Sequence, residues 1–158
     1  MKRILLCLSS LVLAMFSCTE DKAKSQEEKP VSRPREVEVI DFDSKVQAWN
    51  MANKAARYVE LADLYADEVV YYGSLFTHEK CMNNKRIFFQ NHPDFYQRLI
   101  GEVKLDTLSS DEMKCTFLKR AFLDGVTSDY PSYLVFTRFN NQWLITSESD
   151  YITDENLR

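Results

Sequence analysis

Apolar residues follow one pattern before residue 40 and another after it. Ile4 to Phe16 is a run of 13 residues broken only by Ser9 and Ser10, and Met1-Lys2-Arg3 places two positive charges in front of it. A bilayer-spanning helix takes roughly 20 apolar residues, so this run is too short to cross and has the form of a secretory signal core. Residues 19–36 hold Lys, Ser, Gln, Glu and the prolines Pro30 and Pro34. Such a stretch cannot fill a core and is expected to serve as a tether.

From residue 41 the periodicity becomes structural. Asp43 or Ser44 can cap a helix, and Ala48, Ala52, Ala55, Val59 and Ala62 recur at alternating spacings of four and three. Trp49, Met51 and Tyr58 widen that stripe, with a break expected near Val59-Glu60. Asp67 to Gly73 holds the strand formers Val69, Val70, Tyr71 and Tyr72. Thr77 can cap a second helix running to Phe89, with Met82, Arg86 and Phe89 on one face. Asn91-His92-Pro93-Asp94 stops it, because proline lacks a donor and disfavours helix in the residue before it. Four strands follow, at 95–108, 112–123, 130–139 and 143–151, with turns at Ser109-Ser110-Asp111, Asp124-Gly125 and Asn140-Asn141. Helices first and antiparallel strands after predict an α+β domain over 41–158, its N-terminal helices packed on one face of a strongly curved, mostly antiparallel sheet.

The junction between the two regimes carries an address. Met15-Phe16-Ser17-Cys18 resembles the bacterial lipobox, an apolar residue and small residues before a Cys, although Phe16 stands where a small residue is usual. The resemblance implies a signal peptide over 1–17, lipid on Cys18, a tether over 18–40 and attachment to the bacterial cell envelope, at the outer membrane and facing either side. Glu20-Asp21 resembles the surface-export signal of Bacteroidetes lipoproteins. The alternative is an ordinary secreted protein with a free Cys18.

Composition narrows the function classes. The formal net charge is −4, and it becomes more negative once Lys2 and Arg3 leave with the signal segment. An acidic domain without a basic stripe repels a phosphate backbone, so no nucleic-acid partner is expected. With 3 Gly and no glycine-rich phosphate loop, no nucleotide cofactor is expected. Of the 4 Cys, Cys7 leaves with the signal segment and Cys18 takes the lipid. Cys81 and Cys115 then form either one disulfide or two buried thiols. Two Cys and two His at these spacings suggest no metal site.

Trp49, the run Leu61-Ala62-Asp63-Leu64-Tyr65-Ala66-Asp67-Glu68-Val69, Tyr72-Gly73 and the closing Trp143-x-Ile145 resemble the nuclear transport factor 2-like superfamily. The resemblance implies a cystatin-like α+β roll shaped as a cone, its open mouth often lined for an apolar ligand. That superfamily holds isomerases, cyclases, transport adaptors and secreted proteins, so fold alone does not choose a function. The isomerases' Asp base and oxyanion donors cannot be placed here, although Tyr65 and Tyr72 lie in the right region. The His–Asp pair of the cyclases is not supported either, because His78 and His92 both stand where solvent is favoured.

The late strands offer a different set. Alternation puts Met113, Cys115, Phe117 and Lys119 on one face. On the last strand Trp143, Ile145 and Ser147 oppose Thr146, Glu148 and Asp150, unless a bulge exchanges the faces. The expected ligand-binding residues are Tyr72, Phe117, Lys119, Tyr133, Glu148 and Asp150, with Lys119 approaching Glu148 or Asp150 near the cone mouth. A plain surface salt bridge is the competing reading. Trp143 is expected in the core against Trp49 or Leu64. Together these features predict an envelope-anchored, non-enzymatic domain that binds a small apolar or amphipathic ligand or a protein partner, with a homodimer compatible. The alternative is a small cyclase, isomerase or dehydratase using Tyr72, Lys119 and Glu148 or Asp150.

Overall fold

The computed structural model describes residues 40–54 and 57–157. The expected signal segment, Cys18 and the tether up to residue 39 lie outside the described residues.

The first helix, α1, covers Phe42–Ala52. Its cap is Asp41, two residues before Asp43, and its carboxylate accepts from the Ser44 amide at 3.0 Å. Phe42, Val46, Trp49 and Ala52 are buried, whereas Ala48 and Met51 are exposed. Of the expected stripe, Trp49 and Ala52 are therefore inside and Ala48 and Met51 outside, because the large Trp49 surface next to Ala48 gains more from burial. Asn53 ends it, with its backbone N–H and side-chain amide both donating to Trp49 O. A short 3-10 helix over Tyr58–Leu64 leads into β1, Tyr65–Tyr71, which turns through Tyr72-Gly73 into β2, Ser74–Thr77. Thr77 caps α2, His78–Asn91, whose buried face is Cys81, Lys85 and Phe89. Four long strands follow: β3, Tyr96–Ser109; β4, Glu112–Leu123; β5, Val126–Phe139; and β6, Gln142–Asp150. Asp124-Gly125 and Asn140-Asn141 turn with positive φ at both residues, as two-residue hairpin turns require. A six-residue helix, α3, Tyr151–Asn156, closes the described chain.

The strands form one six-stranded sheet ordered β2-β1-β6-β5-β4-β3. Every pairing is antiparallel except β1 with β6, which is parallel. The core lies between α1, α2 and the sheet, with Phe42 against Phe136 at 5.7 Å and Trp49 against Phe117 at 5.4 Å. Trp143 is only half-buried. It meets α1 edge-on through Phe42 at 4.9 Å and borders a surface hollow with Leu64.

One irregularity positions the site. On the β5–β6 ladder Val135 faces Ser147, but Phe136 faces Ile145, leaving Thr146 as the extra residue of a bulge. Alternation is reset there, so Ile145, Glu148 and Asp150 are all buried although their parities differ.

Candidate ligand-binding site

Glu148, only 4% exposed, is the centre of a polar cluster under the helices. Three elements supply it with donors. Trp49 Nε1 of α1 lies 3.2 Å from Oε2, and the Tyr65 hydroxyl of β1 donates to the same oxygen. Lys85 Nζ of α2 lies 3.0 Å from Oε1 and 2.9 Å from Oε2. Burial alone would push the Glu148 carboxyl up. The Lys85 ammonium, the Tyr65 hydrogen bond and the charge of Lys119 outweigh it, and the carboxyl stands below its ordinary value. The Tyr65 phenol is pushed well up, by burial first and then by the Glu148 charge. Lys85, 3% exposed, also reaches Asn53 Oδ1 at 3.5 Å and stands 4.9 Å from the Tyr71 ring centre.

Beside this cluster sits a second one. Lys119 of β4 is buried, and its Nζ donates to the Tyr72 hydroxyl at 3.2 Å, with the Tyr130 ring centre 5.6 Å away. Burial pushes the Lys119 pKa down, while Glu148 and Asp150 hold it up and Lys85 adds to the fall. Tyr72 occupies the left-handed region at φ 46°, held there by its N–H donating to Glu148 O at 2.9 Å. Asp150 uses a carboxylate oxygen to cap α3, accepting from the Thr153 amide at 2.8 Å.

Tyr72, Lys85, Lys119, Glu148 and Asp150 line a pocket of about 340 Å³, within the size range of small-molecule sites. Its other wall is apolar: Phe88, Phe89 and Phe95 pack edge to face, with Phe88 and Phe95 centred 4.9 Å apart, and Ala121 and Leu123 continue the surface. The chemistry on offer is mainly donation. Both Glu148 oxygens are occupied and charged, which removes the obvious general base. Lys119 has one acceptor among the described residues, and the Tyr72 hydroxyl proton has none.

No family model and no curated protein matches the sequence. Solved structures do match. A protein of unknown function from Pseudomonas putida, described as NTF2-like, aligns with a TM-score of 0.59 at 14% identity, over 68% of this chain and 80% of its own. An uncharacterized protein with a cystatin-like fold from Caulobacter vibrioides aligns with a TM-score of 0.57 at 11% identity, over 73% and 92%. The chain has the nuclear transport factor 2-like fold. Bdellovibrio bacteriovorus Bd1075 aligns at 0.59 and 14% identity over 70% of this chain, which spans only 38% of that protein. At such identities the NTF2-like likeness is one of fold, not of activity.

Within the NTF2-like fold, Tyr72, Lys119, Glu148 and Asp150 line one pocket. Lys119 has no carboxylate within ion-pair distance among the described residues, because Lys85 takes that place on Glu148. Phe117 lies under the site, packed on Trp49, and does not line the pocket. Tyr133 is a correction. On β5 the inward residues are Ser132, Leu134 and Phe136, so Tyr133 faces the other side of the sheet. There it donates to Asp154 at 3.0 Å beneath the Lys114 ammonium. Cys81 and Cys115 are free, buried thiols rather than a disulfide, and burial raises them to about 11 and about 12. His78 contacts Ala62 O, His92 pairs with Asp124, and neither lines the pocket.

The residue most missed from sequence is Lys85. Its signal was available, since Cys81, Lys85 and Phe89 recur at steps of four, but Met82, Arg86 and Phe89 form an equally regular stripe. The roles of Trp49 and Tyr65 as donors to a buried carboxylate had no local signature.

Proposed function

We propose that this protein is an envelope lipoprotein whose NTF2-like domain binds a small amphipathic ligand in a cone-shaped chamber between the helices and the curved sheet. The observation that carries the reading is the pocket's division of labour. An aromatic wall of Phe88, Phe89 and Phe95 shares the pocket with a partly buried Lys119–Tyr72 donor pair whose hydrogen-bonding capacity is only partly used. Apolar walls with a few fixed polar groups are the usual makeup of a small-ligand site. The carboxylates do not favour acid–base turnover: Glu148 is saturated by donors and Asp150 is engaged as a helix cap.

The test is titration with the neutral fluorescent amphiphile N-phenyl-1-naphthylamine. Saturable, blue-shifted emission is expected in the native protein, with loss in Ala121→Phe, which fills the pocket from β4. Emission that never saturates, or that is unchanged in the filled variant, would sink the ligand-binding reading. Anchoring rests on the Met15–Cys18 sequence alone and is tested separately. Cys18→Ser should move the protein from the membrane fraction to the soluble one, and an unchanged partition and mass would remove the anchor.

A further inference from the structure

The charges around the pocket already offset one another. Its charged lining residues are Lys85, Lys119, Glu148 and Asp150, two cations against two carboxylates. Lys85 and Glu148 are joined at 2.9 Å. Lys119 is the other cation, 8% exposed, with both buried acids acting on it electrostatically. Among the described residues it spends only one hydrogen bond, on Tyr72, whose own hydroxyl proton remains unclaimed. Two adjacent donors therefore border the pocket in a wall whose net charge is nil. A ligand carboxylate would add a third negative charge beside two that water screens poorly. A neutral oxygen acceptor could take both hydrogen bonds and leave the balance undisturbed.

We infer that the pocket selects amphipathic molecules with a neutral carbonyl head group, such as a ketone, ester or amide, whose oxygen accepts from Lys119 Nζ and the Tyr72 hydroxyl, over carboxylates of the same shape. This rests on the ligand-binding reading above and names its ligand class. The aromatic wall of Phe88, Phe89 and Phe95 holds the apolar body.

The test compares three near-isosteric probes on the full chain at pH 7: 4-phenylbutan-2-one, 3-phenylpropanamide and 3-phenylpropanoate. They share a phenylethyl body and differ in the head group. Calorimetric titration should show the ketone and the amide binding at least tenfold more tightly than the carboxylate. Tyr72→Phe and Lys119→Met should each weaken the ketone severalfold. Asp150→Asn keeps a capping side chain for α3 and removes one negative charge. It should narrow the ketone-to-carboxylate ratio by about tenfold, an effect that lost packing cannot produce. A carboxylate that binds as tightly as the ketone in the native protein, or a ratio unmoved by Asp150→Asn, overturns the inference. If no probe binds while the fluorescent amphiphile does, the head-group assignment falls and the ligand-binding reading stands. If neither binds, both fall.

Discussion

Replacing Lys85 with Met keeps an unbranched side chain one atom shorter and removes its charge. Glu148 would then stay buried with Trp49 Nε1 and the Tyr65 hydroxyl as donors and with Lys119 as the remaining buried cation acting on it. Removing one partner of a buried pair typically costs about 3–5 kcal/mol. Protonation of Glu148 sets a ceiling on the part of that loss that comes from stranding its charge. From its ordinary value of 4.5 to pH 7 is about 2.5 units, and at about 1.36 kcal/mol per unit the ceiling is about 3.4 kcal/mol. At pH 5 the same reasoning leaves about 0.7 kcal/mol. The destabilisation is therefore expected to be smaller at pH 5 than at pH 7 by up to about 2.7 kcal/mol, the native pair's own contribution being lost equally at both pH values. The sign follows from proton linkage. In the native protein the folded carboxyl is depressed, so its contribution is present above the unfolded value and is lost only as pH falls below about 4.5. In the variant the folded carboxyl is raised by burial. The folded state then takes up the proton first, and stability recovers as pH falls from 7 toward 5. The convergence of the two proteins in that window thus belongs to the variant. Urea unfolding followed by tryptophan fluorescence at the two pH values measures it. Adding Glu148→Gln to Lys85→Met should recover part of the loss at pH 7. Equal losses at pH 5 and pH 7 would show that Lys85 acts by packing and that the charge argument is wrong.

Trp49→Ala should cost about 3–5 kcal/mol, the range for a large buried aromatic, and clearly more than Trp143→Ala, because Trp49 is 1% exposed and Trp143 only half-buried; thermal unfolding of the two variants gives the order. Gly73→Ala should destabilise by roughly 1–2 kcal/mol from backbone strain alone, since Gly73 has φ +76°. Its new Cβ would also run into Leu157 Cδ1, so removing residues 157–158 should relieve only the steric part in the same assay. Cys81 and Cys115 should resist a thiol reagent at pH 8 in the folded protein and react fully in urea, since burial holds both thiols protonated.

How much of this was legible depends on the range of the signal. Local rules located the Thr77 cap, the hairpin turns with positive φ, and β4 to the residue, because each is written in neighbouring side chains. The inward run of Cys115, Phe117 and Lys119 followed from simple alternation on a strand without a break in its partner ladder to β5. The outward face of Tyr133 did not, since β5 gave no local cue to which parity the helices would cover. On β6 the bulge at Thr146 changes the phase, and only the pairing with β5 reveals it. Phase also misled part of the reading of α1, where Ala48 fell outside the core while its neighbour Trp49 went in. The polar cluster was least legible. Lys85 has no acidic neighbour on its inward helix face that announces a partner, and the partner comes from a strand 63 positions away.

That distance bears on how the molecule comes into being. Glu148 meets Lys85, Tyr65 and Trp49 across 63, 83 and 99 positions, and its strand lies between β1 and β5. Until β6 has been synthesised and docked, Lys85 has no counter-charge to justify its burial, and β1 and β5 each keep an open edge. Contacts of such separation must be reached against a large loop-closure entropy, which slows the ordering step. The nascent chain therefore has no native-like halfway point: a ribosome stalled before Gln142 would leave not five-sixths of a sheet but a pair of unmatched edges and a lysine without its carboxylate.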